Sequence, residues 1–196
     1  MRSPLRFFTR PWQRRGILPS QNTQQPSLPM IHKVSGDILL TNAQVIAHGV
    51  APNDDFHSGL ALALREQWPA LYKDFRHFFH QQHPETGSLW TWGGIGGLRI
   101  VNLFTQEPAK QAGGHPGKAS TENVNHALRA LHKLAEKEQF TSIALPRLAT
   151  GVGGLDWTAV EPLIDHHLGS LNIPVVVYTN YVADQKADEP ITAHRV

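Results

Sequence analysis

Cysteine is absent from all 196 residues. Its absence excludes thiolate nucleophiles, cysteine zinc sites and disulfides together, and agrees with a cytoplasmic chain. Long hydrophobic runs are missing too. The longest are strand-sized, so no segment reads as a transmembrane helix. Acidic residues are missing from the first 36 positions, Asp37 being the first, while Arg2, Arg6, Arg10, Arg14 and Arg15 all precede Met30. The pI near 9.0 is therefore a property of one end. Of 18 basic residues, 13 remain after that end to face 16 acidic ones. The body of the chain has no net attraction for a phosphate backbone, which argues against nucleic-acid binding through its overall field.

The arginine-rich end, residues 1–29, carries prolines at 4, 11, 19, 26 and 29. Proline at that density prevents a continuous helix or strand. The apolar cluster Leu5 to Phe8 is too short for a signal-peptide core, and a transit peptide needs an amphipathic helix that this stretch lacks. Residues 1–29 read as a disordered tail, or as a stretch upstream of a natural start at Met30. The fold pattern begins directly after Met30 and gives a domain over residues 30–182. Residues 183–196 return to polar, tail-like composition.

Within the domain, Ile31 to Val34 predicts a short strand and Gln44 to Val50 a buried one. Gly59 to Trp68 predicts a helix, and Pro69 opens a second helical stretch with Tyr72, Phe75, Phe78 and Phe79. Ser88 to Trp92 and Leu98 to Phe104 predict a hairpin around Gly93 to Gly97. Trp90 and Trp92 alternate onto one face and read as sheet packing. Ser120 caps a helix running to about Glu138, whose apolar face is Val124, Leu128, Leu131 and Leu134. Ser142 to Leu145 and Pro174 to Tyr178 predict two more buried strands. Between them lies a helix after Trp157, with Thr158 and Glu161 as a capping box and Pro162 near its first turn. Strands alternate with helices and a hairpin interrupts the order, which argues for an α/β fold with a mixed sheet between helical layers. Ligands in such sheets sit at the carboxyl ends of the strands.

Two loops leave such ends. The first is Ala51 to Ser58, rich in turn formers. The second, Leu145 to Trp157, holds Gly151, Gly153 and Gly154 between a strand and a helix. Successive backbone N–H groups in such a loop make an anion-binding nest, and a side chain at Gly153 would block close approach without disturbing the core. The dinucleotide fingerprint is not met, because Asp156 occupies the place of its last glycine. The stretch Gly113 to Ser120 is no P-loop: Ala112 and Ala119 replace its first glycine and its hydroxyl, and no strand precedes it. His77, His80 and His83 diverge around a helix by roughly 120° between first and last, so they read as a surface stripe and no metal is expected.

The run Pro146-Arg-Leu-Ala-Thr-Gly-Val-Gly-Gly-Leu-Asp-Trp157 resembles the second ligand loop of macro domains. Three other features match in order. Val34 to Ile38 is similar to the family's opening Gly-Asp-Ile, Ala47 to Val50 to the strand feeding the first ligand loop, and His57 to Ala61 to the loop and helix start that follow. The resemblance spans about residues 31–180 and implies a three-layer α/β/α macro-domain fold. The closest branch contains ADP-ribose-1''-phosphate phosphatases and ADP-ribosyl-glutamate and ADP-ribosyl-DNA hydrolases.

That resemblance implies binding of ADP-ribose or an ADP-ribosylated substrate, without a cofactor, and with nucleic acid entering only as such a substrate. It implies that Asp37 and Ile38 meet the adenine, with Tyr178 at its rim. Phe56, Ser58, Gly59 and Leu60 would approach the distal ribose, and Leu148, Thr150, Gly151, Val152, Gly153 and Gly154 the phosphates. His48 becomes the acid/base candidate, with His115 closing over the ribose as a second histidine. Hydrolases acting through a lysine place it where this chain has Gln106, and the protein-glutamate hydrolase has an aspartate at the place of Gly153. Two readings stay open: a hydrolase acting at the distal ribose, and a reader that binds ADP-ribose without turnover.

Overall fold

The computed structural model describes residues 31–111 and 113–191; the tail expected over residues 1–29 lies outside them. The chain opens with β1 (Ile31–Gly36), a short 3-10 turn (Ile38–Leu40) and β2 (Val45–Val50). Helices α1 (Gly59–Gln67) and α2 (Pro69–Gln82) precede β3 (Leu89–Gly93) and β4 (Arg99–Phe104). Then come α3 (Thr121–Lys137), β5 (Ile143–Pro146), α4 (Trp157–Leu168) and β6 (Val175–Tyr181).

The strands form one sheet in the order β1-β6-β5-β2-β4-β3. All neighbours are parallel except β3, which pairs antiparallel with β4 at one edge. The mixed sheet expected from the hairpin is therefore present. Parallel strands buried on both faces call for apolar residues facing both ways, and β2 supplies Val45, Ile46, Ala47 and Val50. Val45 and Ala47 pack with Val124, Leu128 and Leu131 of α3 and Val160 and Ile164 of α4. Ile46 and Val50 pack with Leu64 of α1 and Leu71 and Phe75 of α2. Trp90 stacks on Phe78 with ring centroids 5.2 Å apart, and Trp92 Nε1 donates to Asp74 Oδ2 at 3.0 Å.

Ser120 caps α3 as expected, accepting from the Asn123 N–H at 3.0 Å. The expected capping box on α4 does not form. The residue before its first turn is Asp156, whose side chain makes no cap bond, so Thr158 already lies within the first turn. Glu161 instead pairs with Lys33 of β1. Pro162 lies inside α4, past its first turn, where its missing N–H leaves one carbonyl without an intrahelical donor.

The polar stretch after Ala183 does not trail away. Residues 184–191 run back along the end of β1. Gln185 O accepts from the Asp37 N–H at 2.7 Å, and Ala187 is buried. Gly36 (φ +150°) makes this possible, since a Cβ there would meet Gln185 O at 2.7 Å. Glu189 accepts from the Thr41 hydroxyl, from Asn42 N–H at 2.7 Å and from Tyr178 Oη at 2.8 Å. Polar composition marked a tail because it carries no apolar periodicity; these residues are held by hydrogen bonds.

Candidate functional site

Every parallel strand points its carboxyl end to one side of the sheet, and the loops gathered there enclose a two-lobed cleft. One lobe, about 280 Å³, is lined by His48, Asp55, His57, Ser58, His115, Gly151, Val152 and Gly153. The other, about 380 Å³, is lined by Asp37, Ile38, Leu39, Tyr178 and Tyr181. Gly59, Leu60 and Pro146 line both, so the lobes meet at a waist.

Beside the waist, the first lobe carries unspent backbone donors. The N–H groups of Gly151, Val152 and Gly153 meet no protein acceptor among the described residues. In the same lobe, at the waist, α1 begins at Gly59, and Ser58 gives it no side-chain cap. The first turn of a helix cannot satisfy its own N–H groups and carries a partial positive charge. Two sets of donors thus face one passage, which suits a ligand with more than one anionic group in its middle.

The rest of the second loop holds those donors in place. Thr150 N–H and Oγ1 turn back on Arg147 O, the hydroxyl at 2.8 Å. Gly154 (φ +73°) closes a turn onto Gly151 O at 3.1 Å, and Leu148 is wholly buried. The expectation that Gly153 serves only an incoming ligand needs correction. A Cβ there would stand 2.6 Å from Ala149 O and 2.9 Å from Ala119 Cβ, so the loop itself requires a glycine. The positive φ values belong to Ala149 and Gly154.

In the first loop Phe56 (φ 53°) turns its ring into the core, fully buried, with the Phe75 ring 4.8 Å away. It anchors the loop and does not line the cleft. Asp54 braces the same turn, accepting from Phe56 N–H at 2.8 Å. Burial pushes its carboxyl above the usual carboxylate range, although the backbone bonds to Phe56 and Ala51 pull the other way. Its neighbour Asp55 keeps a buried Oδ2 with no hydrogen-bond donor, 3.0 Å from His57 Nδ1.

His48 is almost wholly buried, and burial lowers its pKa to about 4, the bond to Asn102 opposing that shift. Asn102 Nδ2 donates to Trp90 O, which turns Oδ1 toward His48 Nε2 at 2.8 Å. This network assigns the hydrogen to Nε2 and leaves Nδ1 as an acceptor. Gln106 lines the same lobe and donates from Nε2 to Gly117 O at 3.3 Å. His115 lines the lobe from the Gly113 to Gly117 loop.

In the other lobe, Asp37 Oδ1 accepts from Leu39 N–H at 3.0 Å, and Oδ2 lies 3.4 Å from Asp184 N. Each oxygen retains a further acceptor site. Burial pushes the Tyr178 hydroxyl above its usual range. Sequence reasoning missed the Asp55–His57 pair, the Tyr181 wall and the support of Tyr178 by Glu189. The first two lie in loop or strand-end positions without periodicity. The third spans 11 residues with nothing in the sequence to join them. No group of three or more potential metal-ligating side chains is present among the described residues, and no helix among them is long and apolar enough to cross a membrane.

Fold and cleft together define an α/β/α domain with a two-lobed cleft at the carboxyl ends of its parallel strands. The family model of the macro domain matches residues 55–164, more than half the chain. The chain belongs to the macro domain family. A DNA ADP-ribosyl transferase–DNA ADP-ribosyl glycohydrolase fusion protein of Thermosipho africanus is 27% identical over 159 residues, covering 74% of this chain and 40% of that protein. A DNA ADP-ribosyl glycohydrolase of Thermus aquaticus is 26% identical over 152 residues, covering 76% and 41%. The chain thus spans about two fifths of these curated relatives. Among solved structures, the macrodomain of Thermus aquaticus DarG superposes with a TM-score of 0.68 at 24% identity, covering 76% of this chain and 97% of that one; this likeness is one of fold.

Proposed function

We propose that the cleft binds ADP-ribose and that the chain hydrolyses the bond joining its distal ribose to another group. The observation that carries the binding is a pair of donor sets in one lobe: three successive free N–H groups at Gly151 to Gly153 and, at the waist, the uncapped start of α1. A diphosphate there places adenine in the lobe of Asp37, Ile38 and Tyr178, and the distal ribose in the lobe of His48, Ser58, Gly59 and His115. Asp37 accepts the adenine amino group. Thr150 and Gly154 act by shaping the phosphate loop, as Phe56 and Leu148 act by anchoring theirs.

Hydrolysis is supported by the titratable groups collected in the ribose lobe and by the relatives, both named as DNA ADP-ribosyl glycohydrolases. An ADP-ribosylated DNA strand is therefore the first substrate to try, ahead of ADP-ribosylated protein and ADP-ribose-1''-phosphate. His48 is held neutral, so it serves as a hydrogen-bond acceptor toward a ribose hydroxyl or water, and does not supply a proton. A reader without turnover is favoured by one feature: Gln106, where the resemblance places a lysine, is tied to Gly117 O. The test is release. Each substrate is incubated with the protein and free ADP-ribose is measured. Release from the DNA strand supports the hydrolase. Binding without release from any of the three leaves the reader in its place. The cysteine-free composition fits a cytoplasmic site for either.

A further inference from the structure

We propose that His57, oriented by Asp55, is the catalytic acid of this cleft, giving the proton that the leaving group takes as the ribosyl bond breaks. The inference rests on the hydrolase reading above and adds a residue to it.

Three observations converge on His57. Its Nδ1 lies 3.0 Å from Asp55 Oδ2, and that oxygen is buried and has no hydrogen-bond donor of its own. The two atoms are within ion-pair range but not aligned as a hydrogen bond; a small turn of the exposed ring lets Oδ2 take the Nδ1 hydrogen and leaves Nε2 as the working atom, the arrangement by which carboxylates orient catalytic imidazoles. Second, the loop is fixed on both sides of His57. Phe56 is sunk in the core and Asp54 caps its N–H, while Gly59 (φ +57°) starts α1. The ring itself remains 63% exposed, free to meet a substrate. Third, His57 stands at a junction. Asp54, Asp55, His57 and Gly113 line the ribose lobe and also an outer cavity of about 630 Å³ walled by Arg65, Tyr72, Arg76, Phe79 and Lys110. A substrate with its ADP-ribose in the cleft carries its other half into that outer cavity, and the bond to be cut crosses the boundary where His57 sits. The charged groups and imidazoles lining the two cavities beside it are His48, Asp54, Asp55, His115 and Arg147 on the lobe side and Arg65, Arg76, His80 and Lys110 on the outer side, Arg65 Nη1 donating to Asp55 O at 3.1 Å. The buried imidazole of the lobe, His48, is kept neutral and cannot do this work.

The step balances simply. The C1''–N or C1''–O bond breaks and its electron pair goes to the departing atom, which takes the proton from His57 Nε2. A water oxygen bonds to C1'', and the proton it sheds restores His57. Water and ADP-ribosyl substrate become ADP-ribose and the protonated leaving group.

The experiment compares His57→Gln with the full-length parent in single turnover on two substrates. One is a DNA strand ADP-ribosylated on a base, which leaves poorly without a proton. The other is an ADP-ribosyl-glutamate ester, which leaves as a stable carboxylate. His57→Gln is expected to slow the base-linked substrate about 100- to 10,000-fold, the usual worth of a general acid, and the ester less than about tenfold. Affinity for free ADP-ribose should stay within about twofold. Asp55→Asn should slow the base-linked substrate at least about tenfold, and the double variant should be no slower than His57→Gln, as expected of residues acting as a unit. Parental rates in His57→Gln, equal losses on both substrates, or weakened ADP-ribose binding each overturn the assignment while leaving the hydrolase standing. A parent that releases nothing removes both.

Discussion

Gly151 and Gly153 lie two residues apart in one loop and respond oppositely to a side chain. A Cβ on Gly151 has nothing within 4 Å, whereas one on Gly153 meets Ala149 O at 2.6 Å. Gly151→Val should therefore keep the parental melting temperature and weaken ADP-ribose at least about tenfold, near 1.4 kcal/mol, because its side chain grows at the mouth of the phosphate passage. Gly153→Val should lose stability as well as binding. Melting curves beside calorimetry decide it; a Gly151→Val protein that binds like the parent takes the loop out of the site. His48 carries a second prediction. Its folded pKa of about 4 lies below its ordinary 6.5, so between those values the unfolded chain holds more protons. Stability should then be full above about pH 6.5 and fall as the pH drops toward 4, by up to about 3 kcal/mol from this residue. His48→Gln should flatten that part of the stability–pH curve; an equally steep curve contradicts the burial argument. At this scale the sequence showed that glycines clustered, but not which of them the loop keeps for itself. That depends on how the loop folds back on Ala149 O and on Ala119, 34 positions away, and neither contact shows in the local pattern.

Among the elements, regular strands and helices were readable because their periodicity is local, and the N-cap Ser120 was readable for the same reason. The start of α4 was not. Thr158 and Glu161 have capping-box spacing, yet the helix begins two residues earlier, after Asp156, and Glu161 is drawn to Lys33. Residues 184–191 were misread because hydrogen bonds and two isolated apolar residues, Ala187 and Ile191, hold them without any periodicity. Glu189 fastens this segment to Thr41, Asn42 and Tyr178, and Asp184 and Gln185 brace Asp37. Glu189→Ala should thus cost about 1–3 kcal/mol of stability, as expected when partners of a charged acceptor are left open. It should also weaken ADP-ribose and AMP by similar factors, since both need the adenine lobe. Unchanged affinity for both would show that the segment supports the fold and not the lobe.

For the whole molecule, charge and topology separate the parts. The excess of arginine lies before Met30, and every described residue that lines the cleft lies after it. Removing residues 1–29 should leave melting temperature and ADP-ribose affinity unchanged, because that stretch has too little apolar content to contribute to a core. A large fall in melting temperature would show that it joins the domain. The mixed sheet then gathers all its parallel carboxyl ends on one side, and the two lobes with their donor-lined waist follow from that arrangement. The central claim is that this cleft is shaped for the whole of ADP-ribose, both ends and the diphosphate between them. Titration calorimetry measures it directly. ADP-ribose should bind with a micromolar constant, about −8 kcal/mol, and AMP, which lacks the second phosphate and the distal ribose, should bind at least about tenfold more weakly. No heat and no thermal shift with ADP-ribose, or equal affinity for AMP, would contradict the account.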